Sequence, residues 1–167
     1  MNQNPKIGQV LISEPFLEDP NFNRTVVLIT EHNQEGTVGF VLNQKTDFTV
    51  DLLVPELDTV PNTIYQGGPV DIESFHFIHQ CPQIPKAIEL GDGLFWSGDF
   101  EFTAKGLLDG SLNPAEFKFF IGYSGWAPEQ LEDELNDKVW VIGDVESKDA
   151  LAQDIDDKEL WQKVMTA

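Results

Sequence analysis

Short apolar runs rich in β-branched residues, each closed by turn chemistry, constrain this chain more than any other feature. Gln9-Val-Leu-Ile12 and Thr25-Val-Val-Leu-Ile-Thr30 are too short to stand as helices and read as strands. Pro15 and the Asp19-Pro20 step punctuate a loop between them. His32-Asn-Gln-Glu-Gly36 reads as a turn and Thr37-Val-Gly-Phe-Val-Leu42 as the returning strand, a hairpin with a loop of about four or five residues. Gly39 inside that strand signals a bulge or a close approach of backbone.

The same pattern continues through Ile64–Gln66, Phe75–His79, Ala87–Leu90, Leu94–Trp96 and Glu116–Ile121. Helical signals interrupt it. Thr49–Val54 reads as one or two turns capped by Thr49 and stopped at Pro55. Asp99 is an N-cap for a helix over Phe100–Asp109, with Gly110 placed to end it. Pro128 suits a first helical position, and Glu129, Glu132, Asp133 and Glu134 favour the positive end of that helix. Val139–Ile142 is a last strand, followed by helices over Lys148–Gln153 and Asp157–Met165, the second burying Leu160, Trp161 and Val164. Strands first and helices interspersed later, without a βαβ rhythm, give an α+β class and one domain over residues 1–167.

Charge decides which partners suit such a chain. It has 29 acidic against 10 basic residues, a formal net charge of -19, and one arginine, Arg24. Phosphate-backbone binding needs clustered cations, so nucleic acid is disfavoured, as are anionic lipids. No apolar run reaches the ~18 residues of a membrane span. The opening Met-Asn-Gln-Asn-Pro-Lys lacks a signal-peptide layout, and the single Cys81 suits a reducing compartment, so the cytoplasm is expected.

Five places attract chemical readings. Gly122-Tyr-Ser-Gly-Trp126 is close to the G-x-S-x-G nucleophile elbow but breaks its spacing, and reads more simply as a tight strand-to-helix turn around Ser124. Gly67-Gly68-Pro69-Val70 permits an anion nest, although Pro69 offers no N–H; a sharp turn is the plainer reading. On a strand, His79 and Cys81 share a face while His76 points away, too few ligands for zinc. His32 is placed either as a proton shuttle or as a turn cap. Arg24, beside a buried strand in an acidic chain, is expected to form a carboxylate ion pair, with an anion site as the alternative.

Five motifs in order resemble the AlgH/YqgE family of bacterial proteins: Phe22-Asn-Arg-Thr-Val-Val-Leu28, Glu31-His32, Gly36-Thr-Val-Gly-Phe-Val-Leu-Asn43, Gly67-Gly-Pro-Val70, and Gly122-Tyr-Ser-Gly-Trp126 with Gln130-Leu-Glu-Asp-Glu134. The likeness runs from about Gly8 to Trp161. It implies a curled, mostly antiparallel, barrel-like sheet flanked by helices in one compact domain. It brings no catalytic residues, cofactor or metal. Some members carry a transcriptional-regulator label linked to alginate production, without an established DNA-binding element. The motifs mark turns whose loops would surround a shared cleft: Arg24, His32, Asn43, Gly67, Gly68, Trp126 and Gln130. The expectation is a non-enzymatic regulatory or binding protein acting through a protein partner or small ligand. The alternatives are direct DNA contact and a hydrolase using His32.

Overall fold

The computed structural model describes residues 4–13, 24–153 and 155–165. The loop read at Pro15 and Asp19-Pro20 lies outside them. Ten strands among these residues form one curled sheet: β1 (Val10–Ser13), β2 (Val26–Asn33), β3 (Gly36–Val41), β4 (Lys45–Thr49), β5 (Thr63–Gln66), β6 (Val70–His79), β7 (Ile88–Gly91), β8 (Leu94–Trp96), β9 (Phe117–Trp126) and β10 (Trp140–Gly143). Among the described residues four helices flank it: α1 (Phe100–Asp109), α2 (Gln130–Asn136), α3 (Ser147–Ala150) and α4 (Asp157–Met165).

The main path runs β10-β1-β2-β3-β9-β6-β8-β7, with β4 and β5 joined at the side. All pairings are antiparallel except β5 with β9. The sheet curls without closing, which confirms the α+β class. β9 is its axis. On one side it pairs with β6; on the other it pairs with β5 through Phe119–Ile121 and with β3 through Ser124–Trp126. Its Phe117 to Phe120 stretch is buried throughout, as a central strand requires.

The β2–β3 hairpin is tighter than its sequence indicates. Asn33 pairs with Gly36, which leaves a two-residue loop, and Asn33 Oδ1 accepts the Glu35 N–H at 2.7 Å. An Asx turn thus replaces the longer loop. A register shift between Ile29 and Glu31 lies beside Gly39, where a Cβ would come 2.7 Å from the Leu28 carbonyl oxygen. The close approach expected at Gly39 is therefore present.

Helix signals fared unevenly. Asp99 caps α1 by accepting the Phe102 N–H at 3.2 Å, and Gly110 ends the helix in the left-handed region at φ 84°. Thr49 instead precedes a single 3-10 turn over Val50–Leu52 without a side-chain cap, and Pro55 opens a second one over Pro55–Leu57. Pro128 sits in a turn and α2 begins at Gln130, after Glu129 adopts φ 69°. The helix expected over Lys148–Gln153 is the single turn of α3. β4, whose polar Lys45-Thr-Asp-Phe-Thr49 is largely exposed, had no apolar run to announce it.

Three apolar clusters hold these parts. Phe40, Tyr65 and Phe120 meet Leu160, Trp161 and Val164 of α4 inside the curl. Burying a large apolar side chain contributes about 1.5–3 kcal/mol, which accounts for α4 docking through Leu160, Trp161 and Val164. Leu57, Phe117 and Phe119 pack with Leu107 of α1. Trp126, Leu131, Leu135 and Trp140 form the third cluster beneath α2.

Candidate functional site

The seven residues marked in the sequence do not converge on one cleft; they fall in three places. Arg24 and Asn43 lie where β2 begins and α4 docks. Asn43 is buried, and its side chain makes three bonds there. Oδ1 accepts the Val26 N–H at 3.0 Å, while Nδ2 donates to the Arg24 carbonyl at 3.0 Å and to the Asp157 carbonyl at 2.8 Å. It is a clamp between two sheet segments and a helix start more than a hundred residues away. The Arg24 guanidinium lies 5.9 Å from the centre of the Trp161 ring. Among the described residues it has no carboxylate at ion-pair distance, and its described neighbour is that aromatic face.

Gly67 and Gly68 occupy the junction at which β5 gives way to β3 alongside β9. The Gly67 N–H donates to Ile121 O at 2.8 Å, and its carbonyl accepts Val41 N–H at 2.8 Å and the Ser124 hydroxyl at 3.1 Å. A Cβ on Gly68 would stand 2.2 Å from the Tyr123 carbonyl. With the first N–H already bonded within the sheet, close strand packing accounts for the glycine pair better than an anion nest does. Ser124 is correspondingly not in a strand-to-helix turn. It is a buried residue within β9, its hydroxyl spent on Gly67.

His32, Trp126 and Gln130 gather at the tip of the β2–β3 hairpin. A cleft of about 380 Å³ opens there, lined by Glu31, Glu35, Thr37, Val70, Tyr123 and Trp126 among others. His32 is directly opposite Thr37 in the ladder, with Nδ1 2.7 Å from the Thr37 hydroxyl. Thr37 is only 3% exposed, so this is a cross-strand pair that fixes the hairpin. The turn cap is Asn33.

Behind the cleft stands a residue that sequence reading passed over. One carboxylate oxygen of Glu134 accepts both indole N–H groups, Trp126 at 3.0 Å and Trp140 at 2.8 Å, and the other accepts Gln130 Nε2 at 3.0 Å. Gln130 Oε1 in turn accepts the Ala127 N–H at 2.9 Å. The four-residue step from Gln130 to Glu134 on a helix was the available signal. The two rings meet edge to face at 5.9 Å between centroids.

The other histidines are absorbed by structure. His79 Nε2 donates to Ser97 O at 2.8 Å and Nδ1 accepts the Cys81 N–H at 3.0 Å, which fixes a neutral tautomer; burial holds its pKa below the usual imidazole value. Burial likewise lowers His76, with Asp71 opposing the shift, and pushes the buried Cys81 thiol up to about 11. Among the described residues no group of three or more His, Cys, Asp or Glu is arranged to hold a metal.

Lys118 is the second residue that sequence reading missed. Its charge inside Phe117-Lys-Phe-Phe120 was the signal. It is 1% exposed, its Nζ donates to Ala150 O at 3.0 Å and lies 4.2 Å from the centre of the Tyr65 ring. Burial pulls its pKa down to about 7, against the attraction of Asp157.

Comparison with known proteins places this architecture. A UPF0301 protein of Bacteroides thetaiotaomicron is 36% identical over 162 residues, 96% of this chain and 82% of the relative. One from Cytophaga hutchinsonii is 38% identical over 160 residues, covering 95% and 87%. A crystal structure of a Corynebacterium diphtheriae protein superposes with a TM-score of 0.80 at 24% identity, over 98% of this chain and 87% of that one. The solution structure of AlgH from Pseudomonas aeruginosa gives 0.74 at 27% identity, over 98% and 90%. No described helix is long and apolar enough to cross a membrane. A family model described as AlgH-like matches residues 10–167, and the chain belongs to that family.

Proposed function

We propose that the chain is a non-enzymatic cytoplasmic binding protein with a regulatory role, and that its hairpin-tip cleft receives a positively charged group. The carrying observation is the composition of that cleft. Tyr123 supplies a partly exposed aromatic ring and Trp126, only 5% exposed, a buried edge, while Glu31 and Glu35 supply carboxylates on the hairpin strand and loop. Aromatic faces beside carboxylates suit an amine or guanidinium, presented by a small molecule or by a partner's side chain. The Glu134 network holds the Trp126 ring in place, so the wall is organised before anything binds.

The other two readings draw less support. Direct DNA contact would bring a chain of net charge -19 against a polyanion. A hydrolase using His32 draws no support from its Nδ1 partner, because the Thr37 hydroxyl that meets it is buried in the ladder.

The test is a titration of 15N-labelled protein with Nα-acetyl-arginine amide, with Nα-acetyl-glutamate amide as comparator. The expected result is movement of the Trp126 indole and of Thr37 and Gly125 amides with the arginine compound alone. Identical responses to both compounds, or no movement at these positions, would overturn the reading.

A further inference from the structure

The surface of α1 carries a feature that the cleft does not explain. Phe100, Ala104 and Leu108 recur every fourth residue and form one ridge along the helix; Glu101, Lys105 and Asp109 form the next. With Glu56 from the second 3-10 turn they line a groove of about 540 Å³. The inward side of α1 is satisfied by Thr103, Gly106 and Leu107, with Phe100 and Ala104 half-buried against the same cluster and presenting only their outer edges to the groove. Leu108 remains 47% exposed, as does much of Leu52 and Leu53 in the preceding 3-10 segment. The groove shares no lining residue with the hairpin-tip cleft.

The geometry points to this groove as the docking surface for a basic amphipathic helix of a partner protein. Three observations select that occupant. The ridge from Phe100 to Leu108 extends about 12 Å, at 1.5 Å per residue, which matches the span of anchors at i, i+3 or i+4, and i+7 on a facing helix. The groove is lined by helical turns and offers no strand edge. An extended segment would leave its own backbone groups unpartnered there, whereas a helix satisfies them internally. The rim carries Glu56, Glu101 and Asp109 against the single Lys105, on a molecule of net charge -19. Lysine or arginine flanking the apolar face complements that rim, while a second copy of this chain or an anionic membrane would meet like charge.

The inference extends the reading of a binding protein to a second surface and stands even if the cleft binds nothing. The experiment titrates the 15N-labelled full chain with a synthetic 18-residue Leu/Lys amphipathic helix, with a Leu/Glu helix of the same apolar face as comparator. Amide shifts should concentrate on Phe100–Asp109 and Glu56. Leu108→Gln, at an exposed position and without change of charge, should weaken binding about tenfold. The pair Glu101→Gln and Asp109→Gln should weaken it by a similar factor and flatten its salt dependence, about as expected for rim charges. Shifts scattered over the acidic surface, affinity indifferent to Leu108→Gln, equal binding of the Leu/Glu helix, or self-association through this face would each overturn the proposal.

Discussion

Lys118 Nζ donates to the carbonyl oxygen of Ala150 at 3.0 Å, tying the axial strand of the sheet to the end of α3. The buried cation lies over the Tyr65 ring and near Asp157, whose own pKa burial raises. Nearby Lys45 donates to Ile155 O at 2.8 Å, and its N–H donates to Asp157 Oδ2 at 3.1 Å. Two lysines therefore fasten the C-terminal segment to the sheet, one inside and one outside.

This arrangement makes stability pH-dependent in a definite direction. Lys118 has a folded pKa of about 7, below its unfolded value, so above that pH the unfolded chain binds more protons than the folded one. Stability from this group is lowest below pH 7 and rises with pH through the window up to the ordinary lysine pKa. Between pH 7 and 8.5 the gain should be about 1–2 kcal/mol. Cys81, raised to about 11, works in the opposite sense at higher pH, where the unfolded thiol ionises first. Urea unfolding of the wild type and Lys118→Met across pH 6.5–8.5 isolates the effect. The variant should show a flatter profile; parallel profiles would refute the assignment.

Asn43→Ala should lower stability by about 2–4 kcal/mol, because three backbone groups lose their partner at a buried position. Asn43→Asp should be at least as damaging, since Nδ2 faces two carbonyl oxygens that a carboxylate would repel. The loss should appear as a lower urea midpoint with hydrogen exchange accelerated first in α4. Protection of α4 equal to that of the wild type would count against the clamp.

Glycine positions separate crowding from backbone conformation. At Gly68 an added Cβ meets the Tyr123 carbonyl, so Gly68→Ala should cost at least about 3 kcal/mol or prevent folding. At Gly110 nothing lies within 4 Å and only the left-handed φ of 84° is unfavourable. Gly110→Ala should cost about 1 kcal/mol. Thermal unfolding of both variants measures the contrast, and similar losses would undo the steric account of the sheet junction.

Much of the architecture was legible in local chemistry. The β-branched runs at Val10–Ile12 and Val26–Ile29, the Asp99 and Gly110 caps of α1, and the Leu160, Trp161 and Val164 face of α4 each declare themselves through side-chain period or capping geometry. These signals depend on neighbours a few residues away. Gly122–Trp126 was misread because its glycines resemble turn chemistry. Gly122 instead serves the close approach of Gly68 and the start of β6 to β9, segments far apart in sequence.

The sequence by itself therefore determined most of the strands and the main helices, though not β4, together with the acid balance and the family. Tertiary structure decided what the marked residues do. Asn43 became a clamp because α4 returns to it across more than a hundred residues. Gly67 became a junction because two strands share one side of β9. His32 became a ladder partner because Thr37 pairs across a two-residue loop. Lys118 acquired its role because the Ala150 carbonyl and the Tyr65 ring, both distant in sequence, surround it. The partnerships of Asn43, Gly67 and Lys118 are set by chain closure over long separations, and no local pattern of residues encodes them.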